Sequence, residues 1–269
     1  MRNTRDVPAD ELRQISGEDP SLYDRARPGY PGALFAGLAE LADIGPASRV
    51  AEIGPGTGQA TTALLSRGAH VVAVELASSL AGVLQRTLGR ASLEVVVSAF
   101  EDWHLPTDPF DTVASFTSWH WLDPATRTPK AAAALRPGGA FVTVTTTPVL
   151  GGTDEFFVDV QHCYDKWTAF TKAAWRLRAA DDVPAVVDEV DSSEMFWPAA
   201  RRRYQQDITY SASEYLDVLA TYSDHRALAT ENLQGLLASI GELIDRTYVG
   251  TITKRYLYEL RVAQRRHPA

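Results

Sequence analysis

Apolar runs of strand length alternate with helix-like segments along the first half of the chain. The strand-like runs cover 49–53, 69–75, 93–98, 110–116 and 140–146. Apolar residues at helical spacing cover 32–43, 58–66, 79–88 and 124–135. Because strands separated by helices form parallel sheets with right-handed crossovers, this pattern predicts an α/β fold.

The alternation stops at a proline and a glycine pair, Pro148 and Gly151-Gly152, which indicate a linker. The segment 151–200 that follows is rich in aromatic residues. We expect it to form helices that cover the ligand-binding edge of the sheet. Its acidic run, 188–194, is typical of a solvated loop.

Alternation returns near residue 203 with a strand that ends at Tyr210. Ser211 and Glu214 follow at the spacing of a capping box, which predicts the start of a helix. A second helix is expected over 225–248. From Thr251 a last strand has mainly apolar side chains on its inward positions and charged or polar ones opposite.

Length and composition limit the class of protein. The 269 residues suffice for one large α/β domain with a lid, and the net charge of −8 argues against a nucleic-acid partner. No apolar stretch approaches the ~20 residues of a membrane span. A single cysteine, Cys163, cannot form an internal disulfide, and no metal-ligand spacing occurs. These features favour a cytoplasmic protein.

The most informative segment follows the first strand, where residues 50–58 read V-A-E-I-G-P-G-T-G. Glycines allow a sharp turn and a close approach of ligand to backbone, and a following helix offers free N–H groups. A dinucleotide fingerprint needs a glycine where Gln59 stands, and the lysine of a P-loop is absent. Glu52 would repel a phosphate and suits a cationic ligand. An ordinary glycine-rich turn is the alternative.

The E-x-G-x-G-x-G pattern at 52–58 resembles the first motif of the class I S-adenosylmethionine-dependent methyltransferases. The two closing strands after five parallel ones also match the sheet of this family. The resemblance implies a Rossmann-like, seven-stranded, mostly parallel sheet with helices on both faces, whose last strand is inserted antiparallel. Together with the polar N-terminal residues and the aromatic-rich segment, it gives four expected parts: a mobile arm (1–22), a cofactor-binding core (23–150), an inserted helical lid (151–200) and closing elements of the same core (201–269).

The resemblance also implies which residues bind S-adenosylmethionine. Glu75, at the end of strand 2, would hold the ribose hydroxyls, with helix capping as the alternative. Many members have an Asp-Ala pair after strand 3, where this chain has Ala99 and Phe100, so adenine would meet backbone groups. The remaining expected contacts are Glu52, Gly54, Gly56, Gly58, Leu76 and Ser115.

An N-terminal run resembles the segment that closes over the methionine end of the cofactor in this family. Arg27 would make a two-pronged bond with the cofactor carboxylate, and Tyr23 would add a hydroxyl donor. Arg25 competes for the first role. A proline-stiffened lead-in to the first helix is the alternative.

Strand 4 runs into a Trp-His-Trp sequence at 119–121, where open α/β sheets bind ligands. A His-Trp pair here resembles small-molecule methyltransferases related to trans-aconitate methyltransferase. His120 could accept a proton from the attacking group, although a packing or cofactor-contact histidine is the alternative. The aromatic residues expected to line the substrate site, or to seal the cleft, are Trp119, Trp121, Trp167 and Trp175.

Together these features predict transfer of a methyl group to an O, N or C nucleophile of a small molecule, with S-adenosylhomocysteine as product. Three alternatives stay open. The same cofactor could serve a cyclisation or decarboxylation, the chain could be a non-catalytic cofactor-binding partner, or the acceptor could be a protein. The acceptor and the oligomeric state are not predicted.

Overall fold

The computed structural model describes residues 17–89, 92–168 and 176–267. The strands are β1 (Arg49–Ile53), β2 (His70–Glu75), β3 (Leu93–Val97), β4 (Phe110–Phe116), β5 (Leu135–Val149), β6 (Ala200–Ser211) and β7 (Thr251–Gln264). The helices are α1 (Pro20–Ala26), α2 (Gly32–Ala42), α3 (Thr61–Ser66), α4 (Ser78–Leu88), α5 (Arg127–Ala134), α6 (Asp154–Asp159), α7 (Gln161–Trp167), α8 (Glu189–Ser192), α9 (Ala212–Ala220), α10 (Ser223–Arg226) and α11 (Thr230–Thr247). Short 3-10 turns cover Trp119–Trp121 and Ala180–Asp182.

The seven strands form one sheet in the order β3-β2-β1-β4-β5-β7-β6. Strands β1 to β5 pair in parallel. Strand β7 runs antiparallel to β5, because Gly138 pairs with Arg265 whereas Thr153 pairs with Thr253. The predicted Rossmann-like sheet, with its last strand inserted antiparallel, is therefore confirmed.

Strand β1 lies at the centre of the parallel part, between β2 and β4. Its register with β2 places Ile53 beside Val74, so both strands end at the same edge of the sheet. Apart from Arg49, the residues of β1 are buried, as in parallel strands that are covered on both faces. This arrangement brings the glycine turn after β1 next to the end of β2.

The described residues group into two compact units. We call residues 28–89, 92–146, 185–204 and 258–267 the glycine-turn unit. Its core lies around the β1 and β4 strands and includes Phe110, Phe141 and Phe196. We call residues 17–27, 147–168, 176–184 and 205–257 the aromatic unit, in which Phe156 packs edge-on against Tyr215 and Tyr248. This grouping does not follow the expected boundaries at 150 and 200, and a lid at 151–200 stays a prediction.

Two helical segments differ from the expectations, and one predicted helix start is confirmed. Residues 20–26, placed at the end of a mobile arm and the start of the core, form α1, which Asp19 caps by accepting from Leu22 N at 2.9 Å. The expected helix over 225–248 is two helices, α10 and α11, separated at 227–229. The predicted capping box of Ser211 and Glu214 is confirmed at the start of α9.

The acidic run 188–194 is not a solvated loop. Asp188 caps the short helix α8, and its carboxylate accepts two hydrogen bonds from the Arg261 guanidinium, at 2.7 and 2.8 Å. Arg261 is 2% exposed and also donates to Asp191. The alternation of β7 predicted Arg261 on the polar face of the strand, but that face is buried and the charge is matched by these carboxylates.

None of the helices in the described ranges is long and apolar enough to cross a membrane. Within the same ranges no group of three or more His, Cys, Asp or Glu side chains has the geometry of a metal site.

Candidate functional site

The turn after β1 depends on glycine at three positions. Gly54, Gly56 and Gly58 have φ angles of 67°, 63° and 106°, in the region that side chains rarely adopt. A Cβ at Gly54 would lie 2.7 Å from Cβ of Ser118, so this position has no space for a side chain. Helix α3 begins at Thr61 and not at Gly58 as expected, because the residues from Gly56 to Ala60 complete the turn first.

Glu75 ends β2 and meets the glycine turn. Its Oε2 accepts a hydrogen bond from Gly56 N at 3.0 Å, and its Oε1 accepts one from Ala77 N at 2.9 Å. Ala77 is the residue before α4, so the carboxylate also serves the start of this helix. Leu76 follows and is half-buried. The carboxylate thus holds the turn against the strand end.

Glu52 is the second carboxylate at this turn and is 1% exposed. Its Oε2 accepts from Thr61 Oγ1 at 2.7 Å, while Oε1 has no partner among the described residues. Burial raises the pKa of Glu52 to about 7; the Thr61 hydroxyl opposes this rise and the Glu75 charge adds to it. A buried acceptor without a donor is costly, so this oxygen suits a ligand that brings a donor or a positive charge.

The end of β4 supports the turn from the other side. Ser118 Oγ donates to the carbonyl of Ile53 at 2.6 Å and lies 2.7 Å from Ser115 Oγ. The expected contact residue Ser115 is fully buried, and its hydroxyl is engaged with Ser118. Ser118 was not among the site residues expected from the sequence. The signal available was its position two residues after a buried strand, where polar side chains often serve a ligand edge.

The end of β3 offers backbone rather than side-chain groups. Phe100 is 2% exposed, and its ring packs 6.3 Å from that of Trp103 and 6.4 Å from that of Trp119. Ser98 Oγ donates to the carbonyl of Ala99, and Ser98 N donates to the carbonyl of Glu75. The Phe100 ring therefore belongs to the core, so any ligand contact at this point would use main-chain atoms.

The Trp-His-Trp turn separates into one core residue and two accessible ones. Trp119 is 5% exposed, with its ring 4.7 Å from that of Phe141 and 5.2 Å from the Arg127 guanidinium. This position corrects the expectation that Trp119 lines the substrate site, because its ring packs inside the protein. His120 is exposed and Trp121 half-buried, with ring centres 4.9 Å apart.

His120 has the electrostatics of a neutral imidazole. Desolvation by the neighbouring protein lowers its pKa, and the positive charge of Arg127 lowers it further. The side chain is exposed at the surface, so the shift is in part screened by solvent. A neutral imidazole at pH 7 is able to accept a proton.

Tyr23 and Arg27 lie together in the aromatic unit. The Arg27 guanidinium is 5.1 Å from the centre of the Tyr23 ring and 4.8 Å from that of Tyr222. It donates to the carbonyl of Thr221 at 3.1 Å, and its Nε is buried without a partner in the described ranges. The competing Arg25 pairs with a surface aspartate and is 60% exposed, which favours Arg27 as the ligand-binding side chain.

The expected substrate tryptophans of the lid are only partly described. Trp167 Nε1 donates to Ser239 Oγ at 2.8 Å, and the Trp167 ring fills the space above Gly235. The ring thus packs α7 against α11, which corrects its assignment as a substrate contact. Trp175 lies outside the described residues.

Residues 51–143 match the family model of a methyltransferase domain. We call this matched region the methyltransferase domain, and its similarity agrees with the family resemblance of the glycine motif. The methyltransferase domain includes the glycine turn, both buried carboxylates and His120. Tyr23, Arg27 and Trp167 lie outside it.

Curated relatives match part of the chain. An uncharacterized methyltransferase of Mycobacterium tuberculosis is 37% identical over 123 residues, which are 46% of this chain and 48% of the relative. A ribosomal RNA small subunit methyltransferase A of Cutibacterium acnes is 49% identical over 67 residues, 23% of this chain and 22% of that protein. The chain therefore spans about half the length, or less, of these curated relatives.

A solved structure extends the similarity of fold beyond the methyltransferase domain. The structure of a type II methyltransferase from Anaeromyxobacter dehalogenans, described as putative, has a TM-score of 0.59 and is 21% identical, and the similarity covers 90% of this chain and 99% of that one. At this identity the similarity concerns the fold alone.

Proposed function

We propose that this protein binds S-adenosylmethionine and transfers its methyl group to a nucleophilic O, N or C atom of a small molecule. The observation that carries the proposal is the buried Oε1 of Glu52, which has no partner in the described ranges and lies at the glycine turn. A carboxylate there opposes a phosphate and favours an ammonium group. S-Adenosylmethionine carries an ammonium and a sulfonium and no phosphate.

The other residues of the turn fit the rest of this cofactor. We propose that Glu75, which ends β2 beside the glycine turn, holds the ribose hydroxyls. Gly54, Gly56 and Gly58 allow the ligand to approach the main chain. The expected cofactor contacts of Leu76, Ala99, Phe100 and Ser115, and the contacts of Tyr23 and Arg27 with the methionine carboxylate, stay predictions.

The cofactor would supply a methyl group on a sulfonium, which a nucleophile can displace directly. The protein then has to hold the reactants in line and exclude water. His120, kept neutral by its surroundings, would accept the proton of an acceptor that attacks as a hydroxyl or an amine. We propose it as the catalytic residue, with Trp121 beside it at the substrate.

A small molecule is the acceptor that the charge favours. The net charge of −8 opposes binding of an RNA backbone, although several relatives are named as ribosomal RNA methyltransferases. Other chemistry with the same cofactor remains the second candidate. It would form its product without S-adenosylhomocysteine.

Calorimetric titration with S-adenosylmethionine and, separately, with NAD tests the proposal. We expect micromolar binding of the first alone. Glu75→Ala should weaken this binding far more than Glu101→Ala does. The Glu101 carboxylate follows β3 and accepts a hydrogen bond from Asp123 N. Equal losses would show that the ribose site is misplaced, and binding of NAD alone would overturn the proposal. Detection of S-adenosylhomocysteine with an acceptor panel then tests methyl transfer.

A further inference from the structure

A lysine is buried in the aromatic unit, on the inward face of β7. Lys254 is 5% exposed and lies between Ile252 and Tyr256, where the strand alternation places apolar side chains. Four aromatic rings surround its ammonium, with ring centres 5.1 to 6.0 Å from Nζ. These rings belong to Phe157, Tyr215, Tyr222 and Tyr256.

This environment satisfies the charge of Lys254 only in part. An ammonium has three N–H donors, and the hydrogen bond found for this one is a long contact of 3.5 Å to Tyr222 Oη. No carboxylate of the described ranges forms an ion pair with Lys254. Aromatic faces attract a cation, but desolvation of an unpaired ammonium is still expensive. The site therefore has unused capacity for an anion.

A second cation acts on the same tyrosine. The Arg27 guanidinium lies 4.8 Å from the centre of the Tyr222 ring, and Lys254 Nζ lies 5.7 Å from it. Burial would raise the pKa of Tyr222, but the charges of Lys254 and Arg27 outweigh it and hold this pKa below its usual value. Two cations at one half-buried phenol form a region of positive potential, which stabilises oxyanions.

We propose that Lys254, with Tyr222 beside it, binds an oxyanion of a small molecule, a carboxylate or an ionised hydroxyl. This oxyanion site does not depend on the proposed function. Binding of the ionised form lowers the pKa of an acidic hydroxyl, which releases its proton to solvent.

The test uses two probe anions, benzoate for a carboxylate and 4-nitrophenolate for an ionised hydroxyl. Lys254→Met removes the charge and keeps a side chain of similar length. The matched control is Lys166→Met, which removes an exposed lysine that lies 5.0 Å from the ring of Trp167. Benzoate binding is measured by calorimetry, and 4-nitrophenolate binding by the shift of its visible absorbance.

We expect Lys254→Met to weaken binding of at least one probe by about 10- to 100-fold, the value of one charge-assisted hydrogen bond. Lys166→Met should leave it unchanged, and S-adenosylmethionine should bind both variants within threefold of the parent. The two probes show whether the site prefers a carboxylate or an ionised hydroxyl. The thermal midpoint of Lys254→Met should be no lower than that of the parent, because an unpaired buried charge is removed.

Unchanged binding of both probes to Lys254→Met overturns the inference. An equal loss of S-adenosylmethionine also overturns it, because the oxyanion is then the carboxylate of the cofactor. Should Lys254→Met not fold, Lys254→Gln and Tyr222→Phe carry the same comparison. A third outcome is that the parent protein binds the probes and Lys254→Met loses them, while neither protein binds S-adenosylmethionine. That result supports the oxyanion site and refutes only the proposed function.

Discussion

Glu52→Gln tests the central feature of the proposed cofactor site. The substitution keeps the size of the side chain and the acceptor for Thr61, and removes the negative charge. Because Glu52 is 1% exposed and its Oε1 has no partner in the described ranges, the charge has no compensation in the free protein. The parent and the variant should therefore differ mainly in the pH range where Glu52 ionises.

The magnitude follows from the shift of the pKa from 4.5 to about 7. A raised pKa means that the folded protein binds the proton more tightly than the unfolded chain, so stability is present below pH 4.5 and is lost as the pH rises through 7. At 1.36 kcal/mol for each pH unit, the loss is about 3 kcal/mol. As the pH rises from 4.5 to 8, the free energy of unfolding of Glu52→Gln should therefore increase by about 3 kcal/mol relative to that of the parent.

Urea denaturation at pH 4.5, 6, 7 and 8 measures the free energy of unfolding of both proteins. Subtracting the parent value from the variant value removes the contribution of groups that titrate in both proteins. Glu94→Gln, an exposed position on β3, is the matched control and should give no pH-dependent difference. In the same variants, S-adenosylmethionine should bind Glu52→Gln at least tenfold more weakly, because one charge-assisted bond is lost. A stability difference that is constant with pH would refute the reasoning.

Three further predictions concern the turn, the base and the ion pairs. Gly54→Ala should lower the free energy of unfolding by about 2 kcal/mol or more, because Gly54 has a positive φ and a Cβ there would meet Ser118 Cβ. Gly45→Ala, with open space around it, should have little effect, and urea denaturation checks both variants. His120→Gln should lower kcat about 100-fold without changing S-adenosylmethionine affinity, and should remove the fall in the rate of the parent below pH 6.5; unchanged kcat and pH profile would exclude a base role. Arg261→Met should lower the free energy of unfolding by about 3 kcal/mol, because it breaks a buried ion pair. Arg136→Met breaks an exposed ion pair and should cost less than about 1 kcal/mol. Equal losses in denaturant midpoint would contradict the burial argument.

The sequence identified the strands closely where their residues are buried on both faces. Strands β1 and β4 begin and end at the expected residues, because short apolar runs bounded by polar and glycine residues have few alternative structures. The glycine turn could also be predicted from the sequence, because its three positive φ angles favour glycine and the sequence has glycine at each position. Local chemistry determined these features.

The tertiary structure decided the roles of the aromatic and charged side chains. A tryptophan beside a histidine has the same sequence signal whether its ring meets a ligand or packs in the core. Only the packing against Phe141 showed that Trp119 is a core residue. The acidic run 188–194 was misread for the same reason, because its partner Arg261 is 70 residues away or more.

By itself, then, the sequence determined the order of strands and helices, the glycine turn and the acidic residues that flank it, all of which depend on neighbours within a few positions. The tertiary structure decided that Glu52 is buried with an unpaired oxygen, and that Lys254 is enclosed by four rings. Burial and pairing arise between residues far apart in the chain. The free energy of a buried charge depends on those distant groups, so no local pattern could predict it.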